Sequence, residues 1–147
     1  MIKLTLSLLK TVTHSAKKSY PMESCGLLVG HKTQNKEFTI TRILECQNIS
    51  EYDKRCNFLI DPKAYFELKR ELDWDQRFTE CKEKILGHFH SHPDQPPKPS
   101  LADKKMVGQI DLIWLIVGIN NKNHCIPEAH LFNLKIGDFE ELPITII

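Results

Sequence analysis

The sequence Gly-His-Phe-His-Ser-His-Pro at residues 87–93, followed by Pro-Ser-Leu-Ala-Asp at residues 99–103, decides how this chain is interpreted. Its three histidines stand at alternate positions. On an extended chain all three project to one face, because the side-chain period of a strand is two. Imidazole nitrogen is a common zinc ligand, and two neutral rings two residues apart can reach a single ion. The alternation predicts a metal site and leaves open which pair of rings binds.

Acidic and hydroxyl side chains follow the histidines closely. Asp94 comes directly after the proline, and Ser100 and Asp103 are three residues apart at a predicted helix start. Both therefore point back toward the preceding loop. The Ser-x-x-Asp spacing is also a common helix cap. The two roles are compatible, because a capping serine accepts a backbone N–H and keeps its own hydroxyl proton free.

The rest of the chain predicts helices and strands that alternate without strict βαβ units, which indicates an α+β or mixed α/β fold. We expect one domain over residues 1–147. The predicted helices cover residues 4–19, residues 62 to about 74 after Asp61 as N-cap, and a segment from Ser100. The predicted strands cover residues 25–30, 38–43, 84–89, 112–119, 130–134 and 142–147, with a hairpin connection at 31–35 and a stiff proline loop at 93–99.

Composition excludes several classes of function. The 147 residues include 20 basic and 19 acidic side chains, a formal charge of +1. Nucleic acids and anionic membranes attract strongly basic surfaces, so neither is an expected partner. Five scattered cysteines favour reduced thiols over a disulfide framework. We interpret the first ten residues as part of a helix and not a signal peptide, and the longest apolar run is too short to span a membrane. A cytoplasmic, soluble protein is expected.

The arrangement His-Ser-His-Pro-x₅-Pro-Ser-x-x-Asp over residues 90–103 resembles the signature of the JAMM metalloproteases, the catalytic MPN-type domains. That family also has a glutamate just before a short glycine-flanked strand, and residues 21–30, Pro-Met-Glu-Ser-Cys-Gly-Leu-Leu-Val-Gly, resemble this segment. Residues 48–62 are similar to the small bacterial and archaeal members. The resemblance runs from residue 4 to about 120 and implies a single MPN-type domain, with a central mixed β-sheet flanked by about three helices.

The resemblance also implies a set of roles. His90, His92 and Asp103 would bind one zinc ion, Glu23 would act as general base and then general acid, and Ser100 would stabilise an oxyanion. Residue spacing alone does not identify Glu23. The implied reaction is hydrolysis of the amide or isopeptide bond after the C-terminal tail of a ubiquitin-like or sulfur-carrier protein, which is the expected partner.

Other polar residues carry no predicted catalytic role. His88 matches no ligand of the family pattern and is interpreted as supporting the ligands or lining the cleft, and its shared face with the ligands also makes it a candidate modulator of the site. Cys25, although close to Glu23, is interpreted as a small buried apolar residue. The histidines without an acidic or histidine partner at ligand spacing are expected to be structural or exposed; these are His14, His31, His124 and His130.

Two other functions are compatible with the sequence. The first is a non-catalytic MPN-type module that binds ubiquitin-like proteins or scaffolds a complex. The second is a zinc amidohydrolase of small molecules. The intact set of predicted ligands favours the peptidase over the non-catalytic module.

Overall fold

The computed structural model describes residues 1–78, 80, 82–108 and 112–147. Within them, eight strands and three helices follow one another in the order β1 (Ile2–Leu4), α1 (Leu6–Ser19), β2 (Cys25–Lys32), β3 (Phe38–Cys46), α2 (Pro62–Asp75), β4 (Lys84–Pro93), α3 (Leu101–Lys105), β5 (Ile113–Ile119), β6 (Cys125–Asn133), β7 (Asp138–Leu142) and β8 (Ile144–Ile146). None of these helices is long and apolar enough to cross a membrane.

All eight strands belong to one mixed sheet with the order β7-β6-β5-β4-β2-β3-β1-β8. β1 pairs in parallel with both β3 and β8, and β4 pairs in parallel with β5. The other neighbours are antiparallel. The mixed sheet and the three helices are as expected, but the sheet is larger than predicted and dominates the fold.

The N-terminal boundary differs from the prediction of a helix over residues 4–19. Thr5 caps α1, because its Oγ1 accepts a hydrogen bond from the backbone N–H of Leu8 at 3.2 Å. The three residues before the cap form β1, whose apolar side chains Ile2 and Leu4 are fully buried. A three-residue strand is too short to show an alternating pattern in the sequence, so its last residue was assigned to the predicted helix.

The C-terminal strands also differ from the prediction. Strand β6 begins at Cys125, five residues before the predicted start, and residues 138–142 form β7, which was not predicted. The predicted last strand over 142–147 is interrupted at Pro143, which separates β7 from β8. The Pro143 carbonyl accepts a hydrogen bond from the Ile2 N–H at 2.8 Å and so links the two ends of the described chain.

The two faces of the sheet pack against different helices. On one face, Val12 and Ala16 of α1 join a core that contains Leu28 and Phe89. On the other face, residues of β2 pack with Leu68 and Leu72 of α2. Among the cysteines, Cys81 lies outside the described residues, and the other four are free thiols, as predicted.

Strand β4 runs through the middle of the sheet between β2 and β5. It extends to Pro93, four residues beyond the predicted end, so the histidines belong to regular strand and not to a loop. Gly87 is required where β4 meets β5, because a Cβ there would clash with the carbonyl oxygen of Ile113. Phe89 points into the α1 core and is fully buried, which anchors the strand from the side opposite to the histidines.

We expect Phe89→Ala to lower the free energy of unfolding by about 3–5 kcal/mol, because it leaves a cavity under the centre of the sheet. Phe66→Ala is the matched control, since the Phe66 side chain on α2 is 57% exposed, and its effect should stay within about 0.5 kcal/mol. Urea denaturation measures both variants. Equal losses would contradict the anchoring role of Phe89.

Candidate metal centre

Strand β4 holds the three alternating histidines on one face of the sheet, as the sequence predicts. The ring centroids of His88 and His90 are 5.5 Å apart, and those of His90 and His92 are 4.9 Å apart. His90 and His92 are both buried. Their Nε2 atoms approach each other to 3.0 Å. This pair of nitrogens is the centre of the candidate site.

The carboxylate of Asp103 completes a triangle with the two nitrogens. Its Oδ1 lies 3.2 Å from His90 Nε2, and its Oδ2 lies 3.1 Å from His92 Nε2. Three ligand atoms bound at 2.0–2.1 Å around a tetrahedral zinc ion would be about 3.3 Å apart. The observed separations, which involve both oxygens of the carboxylate, are close to this value, so the positions of the three side chains are compatible with one metal ion.

The hydrogen bonding of His92 supports the same interpretation. Its Nδ1 lies 2.9 Å from the carbonyl oxygen of Pro96. Because a carbonyl oxygen only accepts hydrogen bonds, Nδ1 must carry a hydrogen. In a neutral His92 ring, Nε2 then has no hydrogen and presents a lone pair. This lone pair faces a carboxylate oxygen and a second imidazole nitrogen. A shared proton or a metal ion has to lie between these atoms, because otherwise they repel one another.

Asp103 is held in place by the start of α3. Its Oδ2 accepts the backbone N–H of Ser100 at 2.8 Å, and the Ser100 Oγ accepts the N–H of Asp103 at 3.1 Å, which completes a capping box. The cap and the candidate site therefore share the same two residues. Burial opposes ionisation, but the contacts of the carboxylate with His90 and His92 hold the pKa of Asp103 well below its usual range. The carboxylate is charged and available to a cation.

Glu23 faces the triangle from the chain segment just before β2. It is buried, and its Oε1 lies 3.9 Å from His92 Nε2. Potential ligand atoms of Glu23, His90 and His92 all lie within 4.8 Å of one another, so this buried group could hold a metal ion. Burial raises the pKa of Glu23 to about 7, an effect that His92 opposes and Asp103 reinforces. A carboxyl group with this pKa can both accept and release a proton near neutral pH.

A serine pair fixes the distance between Glu23 and the histidine strand. The N–H of Ser24 donates to Ser91 Oγ at 2.8 Å, and the N–H of Ser91 donates to the carbonyl of Ser24 at 3.0 Å. The two hydroxyl oxygens are 3.1 Å apart. The serine between His90 and His92 thus joins β4 to the segment that carries Glu23. The sequence analysis assigned no role to either serine.

The segment between β3 and α2 secures the backbone of Glu23. The Glu23 N–H donates to the carbonyl of Lys54 at 2.7 Å, and Asn48 Nδ2 donates to the carbonyl of Glu23 at 3.1 Å. Asn48 also binds its own segment, since its side chain bonds to the Asn57 carbonyl and the Leu59 N–H. Asn48 was not singled out in the sequence, because its contacts depend on how this irregular segment folds back.

The rings of Phe58 and His88 both pack beside His90. The Phe58 ring stacks on His90, with 4.3 Å between centroids and 17° between planes. His88 packs edge-on against Trp114, and burial lowers the pKa of His88 to about 3, so its ring is neutral. His88 and Phe58 line a largely apolar cavity of about 440 Å³. The interpretation of His88 as lining the cleft agrees with this position.

A second cavity, of about 230 Å³, opens directly onto the candidate site. Glu23, His92 and Ser100 line it, together with the proline loop that follows β4. Glu23 and His92 are buried, while Ser100 is exposed at the rim. This cavity gives a bound molecule access to the atoms of the triangle.

The remaining predictions for individual residues agree with the structure. Cys25 is buried in β2, and burial raises the pKa of its thiol to about 12, so it is unreactive at neutral pH. Of the four histidines without predicted roles, His14 and His124 are exposed, His31 is half-buried and His130 is buried. His130 donates from Nε2 to the carbonyl of Pro97 at 2.9 Å.

Comparison with known families identifies the family of the chain. The family described as prokaryotic homologs of the JAB domain matches residues 5–130, which include every residue of the candidate site. The chain belongs to this family. The family assignment agrees with the MPN-type resemblance of the sequence.

Individual relatives of this family member are distant in sequence. A desampylase from Haloferax volcanii is 23% identical over 142 residues, which cover 95% of this chain and 89% of that protein. A protein from Desulfitobacterium hafniense has a similar fold, with a TM-score of 0.83 and 24% identity over 100% of this chain and 93% of that one. A JAB1/MPN domain protein from Archaeoglobus fulgidus is 18% identical, with a TM-score of 0.57, over 100% of this chain and 97% of that one.

We expect Zn²⁺ to raise the melting temperature of metal-stripped protein, because binding to the folded state at 100 times Kd adds about 2.7 kcal/mol to the free energy of unfolding. His92→Ala should abolish this response. His14→Ala, which removes an exposed histidine, should retain it. Thermal melts with and without Zn²⁺ measure the effect. An unchanged response in His92→Ala would contradict the site.

Proposed function

We propose that this chain is a zinc-dependent isopeptidase, formed by one domain over residues 1–147, that cleaves the amide bond after the C-terminal tail of a ubiquitin-like protein. One observation carries the proposal. Two imidazole nitrogens and one carboxylate converge within 3.2 Å of one another, and a carboxyl group with a pKa near 7 stands beside them. This is the donor set of a hydrolytic zinc site, with three protein ligands and room for a fourth.

His90, His92 and Asp103 are the proposed ligands. Asp103 is preferred over Glu23 as the third ligand because it lies within 3.2 Å of both nitrogens, whereas Glu23 stands 3.9 Å from the nearer one. A zinc ion held by these residues supplies a Lewis acid and lowers the pKa of a water molecule to about 7.

Glu23 is the proposed proton carrier. Its buried carboxylate takes a proton from the attacking water and then delivers it to the nitrogen of the leaving amine. The hydrogen bonds from Asn48 and to Lys54 hold its backbone beside the site.

Ser100 is the proposed donor to the oxyanion. Its Oγ accepts the Asp103 N–H, which leaves the hydroxyl proton free to point into the cavity that Glu23 and His92 also line. A donor at this position stabilises the negative charge that develops on the carbonyl oxygen as the amide is attacked.

Two findings support the proposed substrate class. One is the family of the chain, and the other is its similarity, over 95% of its length, to a desampylase. An enzyme of that kind removes a ubiquitin-like modifier, so we propose a ubiquitin-like or sulfur-carrier protein as the partner of this chain. The direct assay uses small ubiquitin-like proteins encoded near the gene, each joined through its C-terminal tail to a reporter amine.

We expect Glu23→Gln to abolish cleavage of these fusions while one zinc ion per chain is retained, because the amide keeps the shape of the side chain but accepts no proton. Glu51→Gln, at an exposed acid, is the control and should cleave normally. Cleavage assays and metal analysis are run on the same samples. Full activity in Glu23→Gln would refute its assignment as the proton carrier.

We expect Ser100→Ala to lower kcat by about 10²–10³-fold, the usual effect of removing one oxyanion donor. The variant also loses the helix cap, which costs about 1 kcal/mol of stability. The melting temperature therefore has to be measured alongside the kinetics. A loss of stability with kcat unchanged would show that Ser100 serves only as a cap.

A further inference from the structure

The proline loop over residues 93–99 is held at its start by the Asp94 N–H, which donates to the carbonyl of Ile119 at 2.7 Å, and further along by hydrogen bonds that its carbonyls accept. Four of its seven residues are prolines, which have no backbone N–H to donate. Its carbonyls accept from two buried imidazoles instead. Pro96 accepts from Nδ1 of His92 at 2.9 Å, and Pro97 accepts from Nε2 of His130 at 2.9 Å. Consecutive residues of the loop are thus bonded to a proposed metal ligand and to a histidine two strands away.

His130 is placed for this contact by the sheet. It is a buried residue of β6 and lies opposite Trp114 of β5, which in turn lies opposite His88 of β4. The Glu128 carboxylate lies 3.5 Å from the same Nε2 atom. Because a carbonyl and a carboxylate both face this nitrogen and neither donates, Nε2 has to carry the hydrogen.

The loop lies directly on β5 at Gly118. A Cβ added there would stand 3.0 Å from the Gln95 carbonyl oxygen and 3.0 Å from Pro97 Cδ. Gly118 is the register partner of His92 on β4 and of Ile126 on β6. The absence of a side chain thus lets the loop cross from the metal ligand toward β6, where His130 bonds to it.

We propose that His130 is a positioning residue for the metal site, acting on His92 through the Pro96–Pro97 peptide. The φ of Pro97 is fixed near −65°, so a Pro97 carbonyl held by His130 restricts the position of the preceding carbonyl, that of Pro96. The Pro96 carbonyl in turn fixes the orientation of the His92 ring and keeps a hydrogen on its Nδ1. The other ring nitrogen, Nε2, is then free to bind a metal ion. Hydrogen-bonded partners of this kind support metal affinity elsewhere by about 10–100-fold.

The proposal rests on the metal site of the proposed function, and zinc affinity tests it directly. His130→Leu removes the donor at similar size, whereas His130→Gln keeps an N–H. We expect the leucine variant to bind zinc about 10–100-fold more weakly and the glutamine variant to bind nearly as well as wild type. Leu131→Ala, on the same strand but packed into the opposite core, is the control and should lower the melting temperature with zinc affinity unchanged.

Competition with a chromogenic chelator measures these affinities on apoprotein. Unchanged affinity in His130→Leu, or a loss no greater than in Leu131→Ala, would overturn the positioning role while leaving the zinc site intact. A wild-type protein that binds no zinc would overturn the proposed function itself.

Ring nitrogen NMR of wild-type apoprotein provides a test that does not depend on the folding of variants. Two-bond ¹⁵N–¹H correlations should show a hydrogen on Nε2 of His130 and on Nδ1 of His92. A His130 ring with its hydrogen on Nδ1 alone cannot donate to Pro97, and this result would overturn the proposal.

Discussion

The close approach of two imidazole nitrogens to 3.0 Å, beside one ionised carboxylate, is the constraint on which the rest of the structure depends. Lone pairs that face each other at this distance are unfavourable unless a proton or a cation lies between them. Each ring must therefore be held from outside the triangle. His92 is held by the Pro96 carbonyl and His90 by the stacked ring of Phe58. Asp103 is held by the helix cap.

The sheet supplies these supports from both sides of β4. On one side β2 carries Glu23 toward the triangle, and the bonds between Ser24 and Ser91 fix that approach. On the other side β5 and β6 form the floor on which the proline loop lies. Because β4 is central in the sheet and backed by Phe89, its histidines have a rigid base. A site on an edge strand would lack one of these two sides.

The proximity of the histidines, Ser100 and Asp103 is predictable from sequence because it depends on local spacing, whereas the choice of His90 and His92 among the three rings came from the family resemblance. Alternation along a strand places His90 and His92 on one face, and the Ser-x-x-Asp cap places Asp103 beside the loop. Glu23 is different, since it reaches the site through strand pairing across more than sixty residues of chain. Only the family resemblance singled it out. Asn48, Ser91 and Phe58 were missed because their contacts are set by tertiary packing. The strands β1 and β7 were missed because one is very short and the other is largely polar.

The ligands of the metal are the central claim, and X-ray absorption spectroscopy of zinc-loaded protein measures them most directly. Sulfur is the alternative ligand to exclude, because the free and exposed thiol of Cys56 lines the same cavity as Glu23 and His92. We expect the first coordination shell of the zinc ion to contain only nitrogen and oxygen atoms, at about 2.0–2.1 Å, and the spectrum to show the multiple scattering of two imidazoles. A sulfur atom at about 2.3 Å, or a shell with fewer than two imidazoles, would contradict this expectation.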